Sequence, residues 1–173
     1  NTSAHVHLMT EIDVTEIVNF VKANQNSFYE KENFSLTYTP FILMSTIKAL
    51  KNHPLVNASL INDSIHYHKH INIGLAVSIE DGLMVPTIFN CEEKNFLGLC
   101  RSVNEIANRT RSNEITPDEL GGSTFSITNF GVFGIMAGTP IINQPNVGIL
   151  GIGSIKKAPV VIESSKGEDA IAI

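Results

Sequence analysis

A hydroxyl at Thr128 and an amide at Asn129 close the run Phe125 to Ile127, and glycines follow at positions 131 and 134. Glycine admits positive φ and lets a ligand approach the backbone closely. A hydroxyl and an amide at such a strand end are placed to donate hydrogen bonds into a cleft. That is how an enzyme stabilises an oxygen that turns negative during acyl transfer. On spacing alone the plainer reading is the stronger: a strand, a turn and some glycines. Asn129 reads first as structural, because asparagine commonly bonds its own turn. Phe130, Phe133, Ile135 and Met136 read first as core packing and second as walls of a pocket.

Histidine is the other chemistry on offer. His66, His68 and His70 alternate and so share one face of a strand. His-x-His is a spacing that zinc accepts, but no further ligands are committed to it. These residues are read as solvated or partner-facing, and no metal is expected. His5 and His7 read as strand residues, and His53, before Pro54, marks a helix end. Cys91 and Cys100 are the only cysteines. They spell neither a disulfide framework nor a zinc site. Reduced thiols imply the cytoplasm, or the mitochondrial matrix in a eukaryote.

These groups need elements to position them. Residues 5–12 alternate as a half-buried strand does. Asp13 then reads as an N-cap, with Glu16 completing a capping box, for a helix to about Asn24. Residues 26–36 read as a polar connection. Thr39 caps a second helix with Pro40 at its first position, and His53-Pro54 ends it. Strands are expected at 57–61, 65–69, 71–79 and 83–88, with Pro86 marking an edge or bulge. A third helix spans about 95–112, with Phe96, Leu99, Cys100, Val103, Ile106 and Ala107 as its apolar stripe. Thr116-Pro117-Asp118-Glu119 starts a short helix. Strand 124–128 follows, then a fully buried strand over 147–155 and a hairpin of 160–163 with 170–173 around Lys166-Gly167. Together they describe one α/β or α+β domain.

Composition narrows the classes. Hydrophobic residues make up 43% of the 173, enough for a real core. Charged residues are only 17%, below the usual ~25%, which points to surface covered by partners. Net charge is −5 with no basic block, so no nucleic-acid partner is expected. Apolar stretches are short and glycine-broken, so no membrane helix is expected. Residues 1–20 lack the pattern of a signal peptide.

The string GGSTFSITNFGVFG (121–134), followed by TPIINQP (139–145), resembles the catalytic core of the dihydrolipoyl acyltransferase components of 2-oxo acid dehydrogenase complexes. HVHLMTEIDVTEI (5–17), LTYTPFILMSTIKALKNHPLVNASL (36–60), INIGLAVSIEDGLMVPTI (71–88) and ITPDELGGSTF (115–125) follow that family in order, so the likeness covers nearly the whole chain. The resemblance implies a chloramphenicol acetyltransferase-like fold, a mixed sheet flanked by helices. It implies homotrimers that assemble into hollow cores, with active sites in channels between subunits. It implies acyl transfer between a dihydrolipoyl thiol and coenzyme A, both as substrates. The dehydrogenase and dihydrolipoyl dehydrogenase components would join through domains outside this chain. Thr128 falls where the family has a serine or threonine that hydrogen-bonds the tetrahedral oxyanion, with Asn129 and Gly131 shaping that loop.

The family's general base is a histidine in an Asp-His-Arg-x-x-Asp-Gly segment, and none of the six histidines here has those neighbours. That segment is expected beyond Ile173, so residues 1–173 are read as a partial catalytic domain, truncated at both ends and nearly inactive alone. Two other readings stand beside this one: a non-catalytic core-forming scaffold, and a stand-alone acyltransferase acting on a small alcohol or amine.

Overall fold

The computed structural model describes residues 5–163, 167 and 169–172. Its centre is a four-stranded mixed sheet in the order β6-β3-β7-β8: β6 (Thr87–Ile88), β3 (Ile73–Leu75), β7 (Phe125–Asn129) and β8 (Ile149–Ile152). β7 runs parallel to β3 and β8, while β6 is antiparallel to β3. The remaining strands form separate two-stranded pairs: β1 (Ala58–Ile61) with β2 (Ser64–Tyr67), β4 (Val77–Ile79) with β5 (Gly82–Met84), and β9 (Val160–Glu163) with β10 (Asp169–Ala172).

Strand alternation sorts the central sheet into two unlike faces. Ile73 pairs with Phe125 and with Ile88, and Leu75 pairs with Ile127, so these five share one face. That face packs against Leu43, Ile47 and Leu50 of α2 (Thr39–Asn52) and against Leu99 and Ile106 of α3 (Phe96–Arg111). Ile127 is completely buried there. Its burial contributes roughly 1.5–3 kcal/mol. The second face carries Thr87, Gly74, Ser126, Thr128 and Gly151, which are small or polar, with Ile149 beside Ser126 on the outer strand.

α1 (Thr15–Glu32) runs well past the end expected near Asn24 and absorbs most of the expected connection. Polar residues 24–26 do not stop it because apolar contacts further on hold it. Phe28 packs edge-to-face on Phe34, with ring centroids 5.3 Å apart, within a cluster built on Val21, Leu36 and Cys100. Arg101 grips Glu32 at 2.7 and 2.9 Å, tying α3 to the last turn of α1. Asn33 then ends the helix in the left-handed region, its N–H donating to the Tyr29 carbonyl. At the start, Asp13 Oδ1 accepts from the Thr15 N–H at 2.8 Å, but Glu16 does not return the reciprocal bond, so the expected capping box is not formed. Thr116 and Glu119 do form one.

Other differences have local causes. Residues 5–12 form no strand, and Val6 and Leu8 are 83% and 93% exposed. Tyr38, not Thr39, precedes the first residue of α2. The run 71–79 divides at Ala76, whose N–H donates to the Ile127 carbonyl while the chain swings from the central sheet to β4. The run 83–88 divides at residues 85–86, where Pro86 offers only its carbonyl, accepting from Leu75 N–H. β8 is shorter than expected and only half-buried, because it is the outer strand of the sheet. Hairpin β9–β10 forms as expected, and Ile173 and Lys166 lie outside the described residues. No described helix is long and apolar enough to cross a membrane.

Candidate active site

β7 puts Thr128 at the C-terminal end of an inner strand, on the small, polar face. The residue is half-buried, and no described residue hydrogen-bonds its Oγ1. A hydroxyl held by backbone pairing on both sides, yet uncommitted itself, is free to donate to a ligand. Ile127 in the core behind it fixes the register, since a slip by one residue would send Thr128 into the apolar core.

The next residues make a tight turn over the strand end. Asn129 Oδ1 accepts from the Gly131 N–H at 2.9 Å, the geometry of an asparagine bonding its own turn. Phe130 N–H donates to the Ile152 carbonyl at 2.9 Å, and residues 131–133 form a single 3₁₀ turn ending in Gly134 at φ 74°. Gly131 does not use positive φ; it is required by space. A Cβ there would lie 2.5 Å from the Gly153 carbonyl oxygen.

The four hydrophobic residues of this loop do not pack into the core. Phe133, Ile135 and Met136 are exposed. Phe130 is half-buried and is clasped by two glycines: a Cβ on Gly138 would lie 3.0 Å from ring Cζ, and one on Gly151 would lie 2.7 Å from ring Cε2.

Behind Thr128 on the same face lies a polar node that the sequence reading did not single out. Asn146 Nδ2 donates to Ser123 Oγ at 3.2 Å and reaches Ser126 Oγ at 3.4 Å, while its Oδ1 is buried without a partner. Ser59 pairs with Asn146 through an isolated bridge, and its Oγ lies 2.8 Å from His68 Nε2. The signal available was the polar alternation Thr124, Ser126, Thr128, which marks a strand face turned away from an apolar core.

The three alternating histidines do not share a strand face. Only His66 belongs to β2, whereas His68 turns to Ser59 and His70 Nδ1 meets Glu92 Oε1 at 2.7 Å. Glu92 Oε2 also accepts from Ile71 N–H at 2.9 Å, so this carboxylate holds the chain entering β3. His70, Glu92 and Glu93 bring ligand-type atoms within 4.8 Å of one another. Both cysteines are buried free thiols, each pushed up to about 11 by burial. The surface depressions of about 370 and 520 Å³ lie along α1, lined by residues such as Gln25, Tyr29, Phe20 and Phe41. Neither is lined by Thr128.

A family model for the 2-oxoacid dehydrogenases acyltransferase (catalytic domain) matches residues 1–172. The chain belongs to that family. It is 36% identical, over 97% of its length, to the dihydrolipoyllysine-residue succinyltransferase component of the 2-oxoglutarate dehydrogenase complex of Bacillus subtilis, and spans 40% of that protein. It is 38% identical, over 99% of its length, to the dihydrolipoyllysine-residue acetyltransferase component of the pyruvate dehydrogenase complex of Corynebacterium glutamicum, spanning 26% of it. The chain therefore spans well under half the length of these relatives. Among solved structures, a probable dihydrolipoamide acetyltransferase from Listeria monocytogenes superposes with a TM-score of 0.88 at 35% identity, covering 95% of this chain and 69% of the other. The cubic core of a pyruvate dehydrogenase multienzyme complex gives 0.83 at 33% identity, covering 92% and 65%. The fold class read from the sequence is thus the one observed.

Proposed function

We propose that the protein supplies the acyl-transfer step of a 2-oxo acid dehydrogenase complex, moving an acyl group from dihydrolipoamide to coenzyme A. The observation that carries this reading is the uncommitted hydroxyl of half-buried Thr128 on the small, polar side of β7. In the reaction, the coenzyme A thiolate attacks the carbonyl carbon of the acyl-dihydrolipoyl thioester, since thiolate rather than thiol is the nucleophile. A carbon–sulfur bond to coenzyme A forms, and the carbonyl electron pair moves onto oxygen. Thr128 Oγ1 donates a hydrogen bond to that oxyanion. Collapse breaks the carbon–sulfur bond to dihydrolipoamide, whose thiolate takes up the proton removed from coenzyme A. Asn129 acts on this step by holding the turn that follows Thr128.

The proton acceptor in this proposal is the histidine of the family's Asp-His-Arg-x-x-Asp-Gly segment, a string that residues 1–173 do not contain. It would be contributed by further polypeptide, and the site would be shared between copies of a homotrimer. Exposed apolar side chains support that assembly: Val6, Leu8 and Ile12 on the N-terminal arm, and Val161 and Ile171 on hairpin β9–β10. Larger cores, and the dehydrogenase and dihydrolipoyl dehydrogenase partners, follow from the same reading. On the same reading the protein works in the cytoplasm, or in the mitochondrial matrix of a eukaryote.

The test is acyl transfer by the full-length protein, followed as acyl-coenzyme A formed from acyl-dihydrolipoamide. Turnover is expected. A full-length, trimeric protein that carries the histidine segment and transfers no acyl group overturns the proposal in favour of a core-forming scaffold.

A further inference from the structure

We infer that Phe130 is a specificity-determining residue that restricts the site to small acyl groups, with acetyl the preferred substrate class; this rests on the acyl-transfer reading of Thr128. The argument begins with strand register. Thr128 is the partner of Gly151 across the parallel β7–β8 ladder, so the two residues face the same side of the sheet. Neighbouring strands lie about 4.8 Å apart. Gly151 presents no side chain, and the space above it is filled by the edge of the Phe130 ring, with Cε2 and Cζ at 2.7 and 2.9 Å from where a Cβ would be. The ring therefore stands beside the Thr128 hydroxyl, one strand away on the same face.

Two further contacts keep it there. A Cβ on Gly138 would meet ring Cζ, Cε2 and Cε1 at 3.0–3.2 Å, so the ring edge is confined between two residues that both lack side chains. Pro140 Cγ lies 3.7 Å from the same point above Gly151, extending the wall. The backbone of Phe130 is itself fixed by its N–H bond to the Ile152 carbonyl and by the Phe133 N–H bond to its own carbonyl. A ring held on that many sides does not swing away to admit a larger group.

A thioester whose carbonyl oxygen accepts from Thr128 Oγ1, with its acyl chain directed towards β8, meets the Phe130 ring one strand away. Acetyl ends before that wall, whereas a branched or dicarboxylic chain reaches it. Phe130 is only half-buried, so its ring is available to a ligand as well as to the fold.

The experiment uses the full-length, assembled protein with S-acetyl- and S-isobutyryl-dihydrolipoamide as alternative donors to coenzyme A. The wild type is expected to favour acetyl in kcat/KM. Phe130→Ala is expected to raise the isobutyryl-to-acetyl ratio by roughly 10–200-fold, the range that a single methylene produces in an apolar pocket. Phe130→Leu, which keeps more of the packing, is expected to raise it by an intermediate factor, and it carries the measurement if the alanine variant does not assemble. Because the readout is a ratio of two donors on one protein, a merely structural role for Phe130 lowers both rates together and leaves the ratio unmoved. A ratio that changes by less than about threefold in Phe130→Leu and in any active Phe130→Ala protein overturns the inference while leaving the proposed function intact. So does a wild type that prefers isobutyryl. Failure of the wild type to transfer either group overturns the proposed function itself, and this inference with it.

Discussion

Thr128→Val separates the catalytic reading of this site from a structural one. Valine keeps the shape and β-branching of threonine and removes only the hydroxyl. In the fold that hydroxyl bonds to no described residue, and the side chain is half-exposed. Its loss therefore strands no buried partner, and stability should change by less than about 0.5 kcal/mol. The oxyanion is another matter, because it exists only in the transition state and Thr128 is the donor assigned to it in the proposed reaction. Removing one such donor costs about 2.7–4 kcal/mol of barrier. At about 1.36 kcal/mol per factor of ten, kcat should fall about 100- to 1,000-fold. KM should hardly move, since the ground-state carbonyl carries little charge. Thr128→Ser restores the donor and should recover most of the rate. The assay is steady-state acyl transfer to coenzyme A by the full-length protein, with thermal melts run in parallel. A valine variant whose kcat stays within about threefold of wild type refutes the reasoning, as does a serine variant as slow as the valine one.

Gly131→Ala should be costly for a steric reason, because its Cβ would lie 2.5 Å from the rigid Gly153 carbonyl; a loss of about 1–3 kcal/mol is expected in urea denaturation, with lowered turnover as the Thr128 turn shifts. Cys91 and Cys100, both raised to about 11 by burial, should be thiolates in only about one molecule per thousand at pH 8. Iodoacetamide should therefore modify neither in the native protein and both in urea; native labelling would contradict the packing. Glu119 is held down to about 2, chiefly by the Arg109 guanidinium and then by Thr116, from about 4.5 when unfolded. Its stabilisation is present in full above pH 4.5 and is lost as pH falls towards 2. Glu119→Gln should therefore be less stable than wild type at pH 7, by up to about 1 kcal/mol for this partly exposed pair, and the gap in urea midpoint should close by pH 2.

What the sequence revealed about the site was what lies within a few residues of Thr128. Alternation through 124–128 set which side chains face the core, so Ile127 and Thr128 take opposite faces as the pattern requires. Asn129 bonding Gly131 is a contact across two residues and was readable as one. Gly131 was only half legible: glycine announces either unusual φ or close approach, and only the position of Gly153, distant in sequence, decides between them. Phe130 shows the same limit. Neither Gly138 nor Gly151 signals in sequence that both exist to make room for one ring. The extension of α1 beyond Asn24 was equally hidden, because Phe28, Phe34, Leu36 and Cys100 become neighbours only after α3 has folded against them.

The misreading of residues 5–12 has a different cause, and it bears on the site. Hydrophobic alternation records that side chains are shielded from water somewhere; it does not record by which polypeptide. Val6, Leu8 and Ile12 lie bare on a single chain, and a soluble protein gains nothing by exposing them so fully. The loop residues Phe133, Ile135 and Met136, next to Thr128, are exposed in the same way. Lys156 stands between arm and loop: its Nζ lies 3.8 Å from Glu11 Oε1 and donates to Met136 Sδ at 3.2 Å. On the proposed function, a second copy of the chain that covers the arm also comes close to the Thr128 loop. Leu8→Asp should therefore dissociate the assembly in sedimentation and abolish transfer together, while leaving the melting of a single chain's helices unchanged. Loss of assembly with transfer intact would show that each chain completes its site alone.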